Sequence, residues 1–276
     1  MPIRQMPWRL SWLRTTNAYN NTPVRTTFRL LTWTLAECYR SELFFKIGTL
    51  SFTTMPNNFC GLFAYVDGYE TKLIKHVTRN LKKDDVFVDA GANIGIYAIH
   101  VADHLGPKGK VIAFEAHPLI AHYFQRNTVL NKLANVVLVQ AAVGAERGII
   151  DVKYNGGNSG STHISNIEET GTIKIPMVTI DDELYQRGVT KVDYLKMDVE
   201  GFEPFALLGA TQTISNNPNI IVQTEIDIGN LSRYGRDPNS VFNILREMGL
   251  RPHILDQHEN LEMIESVQQG DIIWFR

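Results

Sequence analysis

Val86-Phe87-Val88-Asp89-Ala90-Gly91-Ala92-Asn93-Ile94-Gly95 is the stretch that decides the fold. Its apolar start predicts a buried strand, and Asp89 ends it. A tight Gly-Ala-Asn-Ile-Gly turn follows, and Ile94 to Val101 opens a helix. Strand, glycine turn and helix in that order form the entry of an open α/β site. There a ligand rests between the carboxyl end of a strand and a helix N-terminus.

The details of the turn narrow the ligand. A dinucleotide fingerprint needs a second glycine that makes room for the pyrophosphate, and here Asn93 stands at that place. No Lys-Ser or Lys-Thr follows Gly95, which excludes a phosphate-cradling P-loop. What is left suits a ligand carrying an ammonium and hydroxyls, and S-adenosylmethionine is such a ligand. In that reading Gly91, Asn93 and Gly95 keep its methionine arm near the backbone, and Asp89 orients the amine directly or through water. The plainer reading is that the glycines only make the strand-to-helix turn.

Downstream spacing extends the pattern. Lys110 to Phe114 is a second apolar strand, ending at Glu115. An acid there accepts two hydrogen bonds from a ribose diol, at a separation from Asp89 near the ~20 residues of such a unit. A solvated strand-end residue is the alternative. His117-Pro118 starts the next helix, with proline in its first turn. Asn135 to Gln140 is a third strand, and the small residues from Ala141 to Gly144 leave a flat slot for a purine. Gln140 either reaches an adenine edge or is a plain strand end.

Four segments taken in order carry a resemblance: Val88 to Gly95, Phe114 to Pro118, Val178 to Asp182, and Leu195 to Glu203. Together they resemble the FkbM-type methyltransferases, over roughly residues 60–276. The resemblance implies a Rossmann-like α/β fold with a seven-stranded, mostly parallel sheet and an antiparallel final strand. It also implies S-adenosylmethionine as cofactor and a hydroxyl acceptor on a small molecule or glycan. An N-methyl acceptor is a further alternative. So are a binding module without turnover and a nicotinamide-dependent oxidoreductase, which Asn93 disfavours.

The chemistry centres on Asp193 to Glu203. The strand there delivers Asp198 beside the end of the first strand, at the topological switch. Asp198 is therefore both a catalytic and a cofactor-side candidate. Glu200 anchors the turn or faces the acceptor, and Glu203 complements the dipole of the helix it opens. Asn219 to Glu225 is the neighbouring strand, which places Glu225 on the same side of the cleft. Two carboxylates there share a proton, hold an acceptor hydroxyl, or bind a divalent cation that lowers the pKa of a bound hydroxyl. His163 is a third base candidate, from the polar loop Asn155 to His163. That loop lies between two alternating strands, Gly148 to Tyr154 and Thr172 to Val178, read as an inserted β-hairpin.

Composition sets the remaining bounds. The chain has 276 residues, 44% hydrophobic and 20% charged, ordinary for a globular protein with a large core. A net charge of −2 gives no global field for nucleic acid. Two cysteines, Cys38 and Cys60, make no disulfide framework and fit a reduced, cytoplasmic setting. No apolar run reaches the ~18–20 residues that span a bilayer. Residues 1–59 read as an N-terminal extension and 60–276 as the main domain. The extension has no acid before Glu37 but carries Arg4, Arg9, Arg14, Arg25 and Arg29. It reads as a helical segment docked on the core, with a targeting peptide or an interfacial helix as alternatives. The spacing from Phe28 to Phe45 predicts its docked helix.

Overall fold

The computed structural model describes residues 6–16, 20–68, 70–153, 163–164 and 172–276. The chain begins with the helices Met6–Leu13 and Pro23–Tyr39. A β-hairpin follows, β1 (Leu43–Ile47) with β2 (Leu50–Thr54), then the helices Phe59–Val66 and Thr71–Asn80. The main sheet takes β3 (Val86–Ala90), β4 (Lys110–Phe114) and β5 (Val136–Val139), with the helices Ile96–Leu105 and Pro118–Leu130 between them. A second, four-stranded sheet is built from β6 (Ala142–Val143), β7 (Gly148–Lys153), β8 (His163–Ile164) and β9 (Thr172–Val178). The main sheet resumes with β10 (Tyr194–Met197), β11 (Ile221–Ile226), β12 (Arg251–Leu255), β13 (Leu261–Met263) and β14 (Gly270–Phe275).

The order of the main sheet is β13-β12-β14-β11-β10-β3-β4-β5. β11, β10, β3, β4 and β5 run parallel, and β14 is antiparallel to both β11 and β12. The seven-stranded, mostly parallel arrangement is present, and the short β13 adds an eighth strand at the edge beside β12. The parallel strands β3, β4, β10 and β11 are mostly apolar because both of their faces are covered. Alternate residues divide between two cores. Val88, Ile112, Leu195 and Val222 pack with Leu207, Phe242 and Leu245 on one side. Phe87, Val111 and Tyr194 pack with Ile99, Val101 and Phe124 on the other.

Two local expectations are corrected. The docked helix expected over Phe28 to Phe45 stops at Tyr39, and Phe44 and Phe45 lie in β1. Arg40 takes a left-handed conformation, φ 52°, and its amide closes the helix end on the Ala36 and Glu37 carbonyls. The inserted hairpin, β7 against β9, gains β6 and β8 and becomes a sheet of its own.

The extension is bound to the core. Leu30 and Trp33 are fully buried with Leu13, Leu43, Leu62 and Val66. Buried Arg9 forms an ion pair with Glu37 at 2.5 Å. Asn127 on the helix Pro118–Leu130 and Asn131, which caps its C-terminal end, serve the otherwise open edge of β2. Asn127 accepts from the Thr53 amide at 2.7 Å and donates to its carbonyl at 3.1 Å. Asn131 does the same for Ser51, at 2.8 and 2.7 Å. Side-chain amides thus close an edge that would otherwise invite strand pairing.

Candidate active site

Strand order reverses between β3 and β10, and a cavity of about 220 Å³ lies at their carboxyl ends. Asp89, Gly91, Asn93, Glu115, Ala141, Asp198 and Glu225 all border it. Gly95 and Gln140 do not: Gln140 is exposed just past the end of β5, next to Ala141, which does border the cavity. His163 sits in β8, but its side chain lies outside the described residues, as does the loop 154–162 before it. Its neighbour Ile164 borders the cavity.

The glycines of the turn have internal reasons. Gly91 has φ 84°, and a Cβ there would lie 1.8 Å from the Asp198 carbonyl oxygen. Gly95 has φ 90°, and its Cβ would lie 2.9 Å from the Phe124 ring. The crossing of neighbouring strand ends therefore demands Gly91 whether or not a ligand is bound. Asn93 is also left-handed, φ 50°, a conformation asparagine tolerates better than most residues. Its Oδ1 accepts from the Ile94 amide at 2.8 Å and from Asn58 Nδ2 at 2.9 Å.

Asn58 links this turn to the helix Phe59–Val66, whose first turn it caps by accepting from the Gly61 amide at 2.7 Å. Phe59, Cys60 and Phe63 of that helix border the cavity. Asn58→Ala removes both the cap and the link. It is expected to cost about 1–3 kcal/mol of stability, measured by urea unfolding. A loss below ~0.5 kcal/mol would show that the buried amide contributes nothing net.

Asp89 is fully buried, and among the described residues neither carboxylate oxygen has a hydrogen-bond partner, the Lys196 ammonium lying 3.8 Å from Oδ1. Burial pushes its carboxyl up to about 6, against the pull of Lys196. Buried carboxylates are rarely left so bare, and the missing donor points to a ligand. Glu115 differs: it accepts from the Asn93 amide at 2.9 Å and the His117 amide at 2.8 Å. Burial still raises it to about 7. Each of its oxygens keeps a second lone pair for a diol.

Register assembles the rest. Lys196 pairs with Asp89 on one side and Gln223 on the other, and Glu225 pairs with Asp271 of β14. Lys196 Nζ is buried, 3.1 Å from Asp198 Oδ2, 3.8 Å from Asp89 Oδ1 and 4.8 Å from the centre of the Tyr97 ring. Burial opposes its charge, but Asp198 and Asp89 together hold the ammonium above the ordinary lysine range. The Asp198 amide donates to Ala90 O at 3.0 Å, which fixes the acid against the end of β3. Beside it, the negative charge of Asp198, then burial, push Glu225 up to about 10. Glu225 is therefore held protonated through neutral pH.

Glu200 borders the cavity, accepts from Asn230 Nδ2 at 2.9 Å, and is raised to about 8 by burial and Asp198. Glu203 does not border it. It is buried and turns back onto the Val199 and Gly201 amides, at 2.9 and 3.3 Å. Its role is to close the turn that presents Asp198 and Glu200.

Sequence reasoning missed Lys196 and the cavity wall formed by Phe59, Cys60 and Phe63. For Lys196 a signal existed. A lysine inside the short strand Tyr-Leu-Lys-Met is buried, and a buried ammonium needs partners. For the wall there was none, because it depends on how the extension docks.

The donor set fits S-adenosylmethionine. Unsatisfied Asp89 matches an ammonium, Glu115 a ribose diol, and Phe114, Ile120 and Ala141 to Val143 an apolar slot for the purine. Among the described residues no three His, Cys, Asp or Glu groups come together to hold a metal ion. No helix of the described residues is long and apolar enough to cross a membrane.

Comparison with known proteins agrees with this geometry. The chain is 26% identical over 203 residues to the hexuronic acid methyltransferase AglP of Haloferax volcanii, covering 73% of this chain and 78% of that protein. It is 27% identical over 150 residues to the 2-O-methyltransferase NoeI of Sinorhizobium fredii, covering 49% of this chain and 60% of that protein. A solved structure titled methyltransferase FkbM, from Methylobacillus flagellatus, aligns with TM-score 0.42 and 18% identity, covering 71% of this chain and 44% of that one. The model of the Methyltransferase FkbM domain matches residues 89–252, from the acid that ends β3 into β12. That span is more than half of the chain, which thus belongs to the FkbM family and is an S-adenosylmethionine-dependent methyltransferase.

Proposed function

We propose that the enzyme methylates a hydroxyl of a small molecule or glycan, with Asp198 as the base and Glu225 as the group that orients the acceptor. The relatives named for hexuronic acid and for 2-O-methylation support a sugar hydroxyl as the acceptor class. The observation that carries the reading is that Asp198, held 3.1 Å from Lys196 Nζ, and Glu225 border the same cavity as Asp89 and Glu115. When bound, the cofactor supplies a methyl group already activated by its sulfonium. The protein's tasks are then alignment and proton removal.

Asp89 holds the ammonium and Glu115 the ribose hydroxyls. Phe114 and Ala141 enclose the purine. Lys196 keeps Asp89 and Asp198 at fixed separation and balances their charge. Protonated Glu225 donates to the acceptor oxygen or its neighbour, while ionised Asp198 takes the hydroxyl proton. Glu200, held protonated at neutral pH, adds a donor on the acceptor side without adding charge. Val199 and Phe202 give that side an apolar floor that excludes water.

Calorimetry tests the cofactor half. S-adenosylmethionine should bind and NAD should not. Asp89→Asn should weaken S-adenosylmethionine about 10- to 100-fold, the worth of one hydrogen bond to a charged group. NAD binding with no response to S-adenosylmethionine refutes the assignment. Methyl transfer to a panel of free sugars, uronic acids and phenols tests the acceptor half. Turnover on amines alone refutes O-methylation.

A further inference from the structure

The helix Pro23–Tyr39 is apolar on two opposite faces. Leu30 and Trp33 fill the core. On the other face Val24, Phe28, Leu31, Leu35 and Tyr39 are 45–85% exposed. Their spacing of four, three, four and four residues draws one straight stripe, about 22 Å long. A single exposed apolar residue needs no explanation, but an aligned row on one helix does.

A cationic groove runs beside the stripe. Arg25, Arg29 and Lys46 border it with Thr22 and Thr26, and Asp67 is its one carboxylate. Arg29 is held by a hydrogen bond to the Tyr65 carbonyl at 2.8 Å, close enough to Arg25 that their charges oppose each other. Three cations against one acid suit a phosphate group. Nearby acids are already engaged: Glu37 pairs with Arg9 and Glu42 with Arg126. The segment before Glu37 contains no acid at all.

We propose that this face docks on an anionic membrane surface, the stripe lying in the headgroup boundary and the groove taking a lipid phosphate. An apolar row flanked by arginines on a helix that lies flat is the pattern of an interfacial helix. The docking helix packs on Phe59–Val66, through Trp33 and Tyr65 with ring centroids 6.2 Å apart. That second helix borders the catalytic cavity, so a docked enzyme would present its site near the membrane surface.

Vesicle flotation tests this with the full chain. Vesicles of phosphatidylcholine with a third phosphatidylglycerol should carry the protein up, phosphatidylcholine alone should not, and 0.5 M salt should release it. Arg25→Glu should weaken binding about tenfold or more, since each basic group near such a surface strengthens binding about fivefold and the reversal changes the charge by two. Phe28→Ser with Leu31→Ser and Leu35→Ser should abolish it. All four positions are solvent-facing, so melting temperatures should hold; if the serine variant melts early, Arg25→Glu decides. Equal binding to neutral vesicles, or flotation of Arg25→Glu like the parent, overturns the proposal. So does sedimentation showing that the serine variant turns a dimer into a monomer, or binding of inorganic phosphate with no vesicle binding.

Discussion

Asp198→Asn is expected to lower kcat by about two to four orders of magnitude, the usual contribution of a positioned general base. Binding of S-adenosylmethionine should change far less, because Asp89 and Glu115 remain. The substitution keeps shape and hydrogen-bonding capacity while removing the charge. That charge is also the first cause of the high Glu225 value. In the variant Glu225 should therefore ionise at lower pH than in the parent, and become the only carboxylate of the pair able to accept a proton. The residual rate should rise with pH along that new ionisation. The parent behaves otherwise: it works with the proton on Glu225 and should lose activity as pH rises toward about 10. The double variant Asp198→Asn with Glu225→Gln should lose the residual pH dependence. A kcat for Asp198→Asn within tenfold of the parent, at saturating cofactor and acceptor, removes Asp198 from the role of base.

The positions in the fold that were legible in the sequence are those where chemistry and geometry coincide. Val86 to Val88 is apolar because both faces of β3 are covered, and the same holds for β4 and β10. Acids at strand ends are conspicuous because the strands before them are apolar; Asp89, Glu115, Asp198 and Glu225 were each visible for that reason. What sequence cannot show is register. The row Asp89, Lys196, Gln223 exists because one-to-one pairing across three strands sets these residues side by side. Read along the chain, Lys196 is one polar residue in a strand. Read across the sheet, it is the cation between two acids. Asn93 shows the same limit: its place in the turn was clear, while its bond to Asn58 required knowing where residues from far upstream return. Gln140, read as either an adenine contact or a plain strand end, is exposed and does not border the cavity, as the plainer reading has it.

Glu203 supplies the largest effect expected on stability. Its carboxyl is raised from 4.5 to about 7, chiefly by burial, with the Val199 amide opposing. A carboxyl raised on folding binds its proton more tightly in the native state. Its contribution is fully present below pH 4.5 and is lost as pH climbs through 7. At pH 8.5 the native state must hold a buried charge, at a cost of about 3 kcal/mol. Glu203→Gln retains an oxygen for the Val199 and Gly201 amides and cannot ionise. It should match the parent near pH 4.5 and exceed it by up to about 3 kcal/mol at pH 8.5, read from urea unfolding without ligand. The difference between the two proteins is the proper readout. Asp89, Glu115 and Glu200 titrate in the same direction as Glu203, whereas His76, His100 and His117, lowered by burial, act in the opposite one. Subtraction removes them, apart from the share of the Glu200 shift that the Glu203 charge itself causes. A variant whose stability runs parallel to the parent from pH 4.5 to 8.5 would show that Glu203 is ionised throughout, with its charge carried by the amides of the turn. Activity offers the complementary check: Glu203 touches the turn and not the cavity, so Glu203→Gln should keep its affinity for S-adenosylmethionine while Asp198→Asn loses its rate.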